Sequence, residues 1–203
     1  MQSALAAAKT ITAITKANPG VVTSTAHGYA NGSLVLLKIQ GMFQLEGKVV
    51  RVANQSANTF ELEGVDTTLF DTFASGTAEL ITFGTSITSA TDISATGGEA
   101  EKIDTSTIHS SSRSSIPGPL SELEYAFNNI WDLTDAGQIA MKAASDAGGT
   151  RAFQFTFGTG GPKMYFAGTV SFSGAPTGTA FDKIVTPAKV TVLDQSKLTF
   201  YSA

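Results

Sequence analysis

His27 and His109 are the only imidazoles in this 203-residue chain, and there is no cysteine. Thiol catalysis, disulfides and Cys-zinc sites are excluded together. Four arrangements of the remaining side chains could do chemistry. Asp104, His109 and Ser111 have the residue types of a catalytic triad. A triad needs an acid that orients the base and a base aimed at the nucleophile. Here all three fall in one short Ser/Thr-rich segment with nothing to orient them. Gly158-Thr159-Gly160-Gly161-Pro162-Lys163 has the glycine content of a phosphate-binding loop. Pro162 removes a backbone donor, and a strand pattern follows where an anion site needs a helix N-terminus. A hairpin loop fits better. Glu99, Glu101 and Asp104 could ligate a hard cation, but EF-hand spacing is missing and alternating acids read as a solvated face. Phe153, Phe155 and Phe157 could stack on bases; without a basic patch they fit a sheet core better. The expectation is a protein with no catalytic residue, no metal and no cofactor.

Composition then carries the reading. Lys and Arg number 13, Asp and Glu 17, for a net charge of −4. Hydrophobic residues make up 42%, too many for a disordered chain. The mild acidity argues against a general nucleic-acid binder with a basic face. The run Leu34 to Leu37 stops at Lys38, far short of the roughly 18–20 apolar residues that cross a bilayer, so no membrane partner is expected. Met1 to Thr10 lacks the basic start of a signal peptide. Charged residues are only 15%, against about 25% in a typical soluble chain. A surface this poor in Lys and Glu resembles an interface core, which points to self-assembly. Thr, Val, Ile and Phe suit pleated sheets, and the 20 glycines suit tight turns.

Elements follow from periodicity. Residues 1–9 are Ala-rich and read as an N-terminal arm or a short helix. From 10 to 81 short strands alternate with turns such as Asn18-Pro19-Gly20 and Asn31-Gly32, and Thr59-Phe60-Glu61-Leu62 places Phe60 and Leu62 on one face. This spacing suggests a small β-barrel domain. Residues 99–104 could be a strand. His109 to Pro119, with Ser110, Ser111, Ser112, Arg113, Ser114 and Ser115, reads as a mobile loop. Residues 120–133 fit helix or strand, with Asn128 and Asn129 favouring a strand. A helix is expected over about 134–146, capped by Thr134 and stopped at Gly148-Gly149. Phe153, Phe155 and Phe157, then Met164, Phe166, Gly168, Val170 and Phe172, share strand faces. Val190 and Val192 continue the pattern, and Pro187 implies an edge or a strand start. The domain division is 1–9, 10–81 and 82–203.

Two segments resemble known families. The helix from Thr134 to Ala144, the strand Gly149-Thr150-Arg151-Ala152-Phe153, a Gly loop, the strand Tyr165 to Phe172 and a Val-rich last strand resemble the tail tube proteins of long-tailed bacteriophages. The likeness covers residues 83–203, including Glu101-Lys102-Ile103-Asp104 and the loop after it. Ile11 to Leu80, with Pro19-Gly20-Val21-Val22, His27-Gly28-Tyr29 and Gly47-Lys48-Val49-Val50-Arg51-Val52, resembles the small β-barrel inserted in phage structural proteins and ubiquitin-activating enzymes.

The resemblance implies a mainly β fold: a tube-forming β-sandwich or barrel with one helix, plus the small N-terminal barrel. It implies a virion structural protein, made in the host cytoplasm, that stacks as hexameric rings with itself and with other tail proteins at the tube ends. DNA would pass through the lumen unbound. Ser110 to Ser115 would form an intersubunit loop, and Glu99, Glu101 and Asp182, expected on strands, would face the lumen. The alternative is a monomeric receptor- or glycan-binding β module, with Tyr29 and Trp131 as its aromatic platform.

Overall fold

The computed structural model describes residues 1–158 and 160–202. Eight strands build the first unit: β1 (Gln2–Leu5), β2 (Lys9–Ile11), β3 (Ala13–Ile14), β4 (Val21–Thr23), β5 (Leu34–Gln40), β6 (Val49–Ala53), β7 (Thr59–Leu62) and β8 (Ser75–Phe83). Their order is β1-β8-β5-β6-β7-β4-β3, and β2 also pairs with β8. β2 and β3 are one segment interrupted at Thr12. Lys9 pairs with Ala78 on β8, and Ala13 pairs with Thr23 on β4, so this segment joins the two ends of the sheet and curls it shut. The inward positions of each strand fill the interior with Val22, Val35, Leu37, Phe60 and Leu62.

His27 and Tyr29, in a glycine turn by sequence, are drawn into this interior. Tyr29 N–H donates to His27 Nδ1 at 3.0 Å, which leaves Nε2 to donate to the Thr59 carbonyl at 3.2 Å. The Tyr29 hydroxyl donates to the Ala78 carbonyl at 2.7 Å. Tyr29 is therefore no surface platform for a sugar. The first residues are not helical either. Gln2–Leu5 is a strand on β8, because an isolated segment this short gains more from an existing sheet edge than from its own helix.

The second unit holds β9 (Ser94–Thr96), β10 (Ala100–Asp104), β11 (Ser115–Leu120), β12 (Glu124–Ile130), α1 (Ala136–Ala147), β13 (Arg151–Thr156), β14 (Lys163–Phe172), β15 (Val185–Val192) and β16 (Thr199–Tyr201). The main sheet runs β13-β14-β15-β12-β9, with β16 on β14; β10 and β11 pair only with each other. The helix starts two residues later than the sequence suggests. Asp135, not Thr134, is its N-cap, its carboxylate accepting from Gln138 N–H at 2.7 Å. Thr134 is held instead by Asp132, through its N–H at 2.8 Å and its hydroxyl at 2.7 Å. Gly148, at φ 61°, ends the helix in the left-handed region.

Pro187 lies in a central strand, contrary to its reading as an edge or start. It sits opposite Asn128. Asn128 N–H donates to Asp92 and its carbonyl accepts from Thr91 N–H, so both backbone groups turn away from β15. The pair is non-hydrogen-bonded, and the proline nitrogen points to the side where β14 has ended at Phe172 opposite Ala188.

β14 is buried on both faces. Met164, Phe166, Val170 and Phe172 meet Phe153 and, from the helix, Met141 and Ala144. Tyr165 and Ala167 meet Leu36, Val49 and Ile81 of the first unit together with Ala152 and Tyr201. The two units share this apolar seam, and residue 81, taken from sequence as a domain end, lies inside β8.

Candidate assembly surface

β10 and β11 form a hairpin that stands off the body. Every residue of β10 is exposed, and of β11 only Gly118 is partly covered. A lone two-stranded hairpin is at best marginally stable in water. Ile103 pairs directly with Ile116, and Leu120 with Ala100. Ile103, Ile116 and Leu120 are about half exposed, and Ile108 at the tip is almost wholly so.

The base is a fixed bend. Gly97 has φ 89°, and a Cβ there would sit 1.8 Å from the Glu122 carbonyl oxygen. Only glycine allows that approach. Gly98 N–H and Ser121 N–H close the base on the Ser121 and Glu99 carbonyls at 3.3 and 2.9 Å.

Sequence placed a mobile loop over 109–119; the structure turns its second half into β11, because Ser115 and Ile116 find partners in Asp104 and Ile103. The tip is tied by its own hydroxyls. Thr107 N–H donates to Ser110 Oγ at 3.0 Å, and Ser114 N–H to Ser106 Oγ at 2.9 Å. Asp104 accepts from Ser106 N–H at 2.8 Å, and the Ser106 contacts hold its carboxyl below the usual range. Among the described residues no hydrogen bond or ion pair engages the side chains of Ser111, Ser112 or Arg113. None joins Asp104 to His109 or His109 to Ser111, and all three are exposed. Asp104 serves the turn and is not aimed at a base.

The three acids singled out by sequence are not brought together. Glu101 lies on β10 and Glu99 just before it, whereas Asp182 sits in the loop between β14 and β15, not on a strand. Gly158 to Lys163 joins β13 to β14 as a hairpin, with Phe157 N–H on the Pro162 carbonyl at 3.2 Å; Thr159 of that loop is outside the described residues. Phe153 and Phe155 pack in the core against Phe166, while Phe157 ends half exposed. Trp131 is partly covered, its indole N–H on the Gly174 carbonyl at 3.2 Å.

A cavity of about 720 Å³ opens between residues 83–93 and β13, lined by Met1, Phe83, Ile87, Phe127, Phe153 and Phe155. It contains Asp92 but no cluster of acids and bases. Among the described residues no group of metal-ligating side chains occurs and no helix is long and apolar enough to cross a membrane.

Sequence reasoning missed the apolar side of the hairpin, since isolated isoleucines in a Ser/Thr-rich stretch show no periodicity. The pair Gly97-Gly98 was the signal that a chain reversal begins there.

A family model described as "Phage tail tube protein, TTP" matches residues 40–203, most of the chain: the whole of the second unit and the first from Gln40 onward. No curated protein matches.

Proposed function

From the premise that the chain belongs to the phage tail tube protein family, we propose that it is the repeating subunit of the tube, stacking as hexameric rings around a bore that conducts DNA. A tail structural role follows from the family itself. The finer reading rests above all on the hairpin of β10 and β11, which exposes Ile103, Ile108, Ile116 and Leu120 and, among the described residues, pairs with no other strand. Copies of the chain supply the missing cover. Ser110 to Ser115 then become an intersubunit segment, with Arg113 free to meet a neighbour's carboxylate.

The bore must not hold DNA, whose backbone carries one charge per about 1.7 Å. Exposed Glu99 and Glu101 at the hairpin base suit a repelling wall. The rival reading as a glycan-binding module loses Tyr29 to the barrel interior.

Electron microscopy of the purified chain is the test. Tubes or stacked rings are expected; a monomer at every concentration would overturn the proposal.

A further inference from the structure

The β14–β15 connection carries a knob. Thr177 bridges Val185, so residues 178–184 bulge out as a closed loop. At its tip Phe181 is fully exposed and holds φ 68°. A bulky residue in the left-handed region is strained, and a bare phenylalanine is costly in water. Among the described residues nothing covers its ring.

Phe181 does not stand alone. Trp131 N–H donates to the Ile184 carbonyl at 3.0 Å, and Ile130 pairs with Val185. These bonds bring Ile130, Leu133 and Ile184 to the same end of the sheet as Phe181. All four are exposed large apolar residues.

The hairpin leaves from the other end. Glu124 pairs with Thr191 and Ile130 with Val185, so β12 and β15 separate the two surfaces by about 20 Å, the span of a seven-residue strand. Two different apolar surfaces at opposite ends of one ladder make a head-to-tail contact, the kind that propagates. Their charges complement each other. The hairpin tip, whose turn Asp104 closes, carries Arg113, which no ion pair engages among the described residues, and the far end exposes Asp132 and Asp182 beside Lys183.

We infer that the surface formed by Ile130, Leu133, Phe181 and Ile184 is the acceptor for the β10–β11 hairpin of a second copy, with Phe181 as its anchor. The inference rests on the tube reading and adds the place where one copy receives the next.

The chain has no cysteine, so engineered pairs can be read cleanly. Ser110→Cys and Ala180→Cys leave the apolar anchors in place. Mixed under assembly conditions and oxidised, the two single variants should give cross-linked dimers that neither gives alone. Ser110→Cys mixed with Leu69→Cys, exposed on the first unit, should give none. Phe181→Ser should raise the concentration at which assembly begins at least tenfold, from the lost burial of one aromatic ring, while leaving the monomer folded by circular dichroism. Tubes without the 110–180 cross-link, or unchanged assembly of Phe181→Ser, would overturn this inference and spare the tube reading. A wild-type chain that never assembles would overturn both.

Discussion

The Arg51 guanidinium stacks on Tyr201, 4.6 Å from the ring centroid, while Arg51 N–H donates to the Tyr201 hydroxyl at 2.9 Å. This double contact fastens the last strand of the second unit to β6 of the first. Arg51 also pairs with Glu63 and donates to the Ser202 carbonyl at 3.1 Å. Thr199 adds a hydroxyl bond to the Val49 carbonyl at 2.8 Å. Removing the ring with Tyr201→Ala should cost about 3 kcal/mol, as other buried aromatic truncations do. Tyr201→Phe keeps the stacking and should cost about 1 kcal/mol for the lost bond. Urea unfolding measures both; equal stability of the two variants would refute the role given to the ring.

The seam has a consequence for truncation. The sequence sets 10–81 apart as a domain of its own. Cutting there splits β8 and uncovers Ala152, Tyr165 and Ala167. Residues 82–203 alone are expected to aggregate or stay partly unfolded. A monomeric fragment with a cooperative thermal transition would show that the seam is dispensable.

Deleting Ser111 to Ser115 is expected to leave a folded monomer that no longer polymerises, because these residues are exposed and bury no core side chain. Light scattering against circular dichroism separates the two effects. Normal tubes from the deletion variant would remove the hairpin from assembly.

Replacing Glu99 and Glu101 by lysine tests the bore. Assembly should persist, and DNA exit should slow, more so at low salt where screening is weaker. A change in assembly with no change in DNA exit would place both acids between subunits.

High pH should open the barrel. The Tyr29 phenol is pushed up to about 12, first by burial and then by the charge of Glu79. A folded-state value above the unfolded 10.0 means the contribution is complete below pH 10 and is lost as pH rises toward about 12. The slope from this group is about 1.4 kcal/mol per pH unit. Tyr29→Phe should flatten the alkaline loss while costing about 1 kcal/mol at neutral pH for the bond to Ala78. An unchanged alkaline slope would assign the loss to the other buried tyrosines.

Much of the fold is legible in the sequence because it is decided locally. Phe60 and Leu62, or Met164, Phe166 and Val170, alternate with period two, and alternation marks the buried face of a strand wherever that strand ends up. Asp135 and Gly148 bracket the helix for equally local reasons, and the one-residue shift of its cap came from two adjacent capping candidates, Thr134 and Asp135. A mainly β chain with one helix is readable on these grounds.

Tertiary structure decided what depends on distant partners. Alternation predicts one buried face for β14; Tyr165 and Ala167 are buried on the other only because the barrel docks there. Gln2, 150 residues away in sequence, receives the Ala152 N–H at 2.9 Å, which no local pattern announces. Pro187 is tolerated in a central strand because β14 stops one position short of it. The acceptor surface, too, exists only once Ile130, Phe181 and Ile184 are gathered at one end of the sheet. Local chemistry sets which side of an element is apolar; which elements cover that side, and which apolar surface stays bare for another copy, is set by how the whole chain packs.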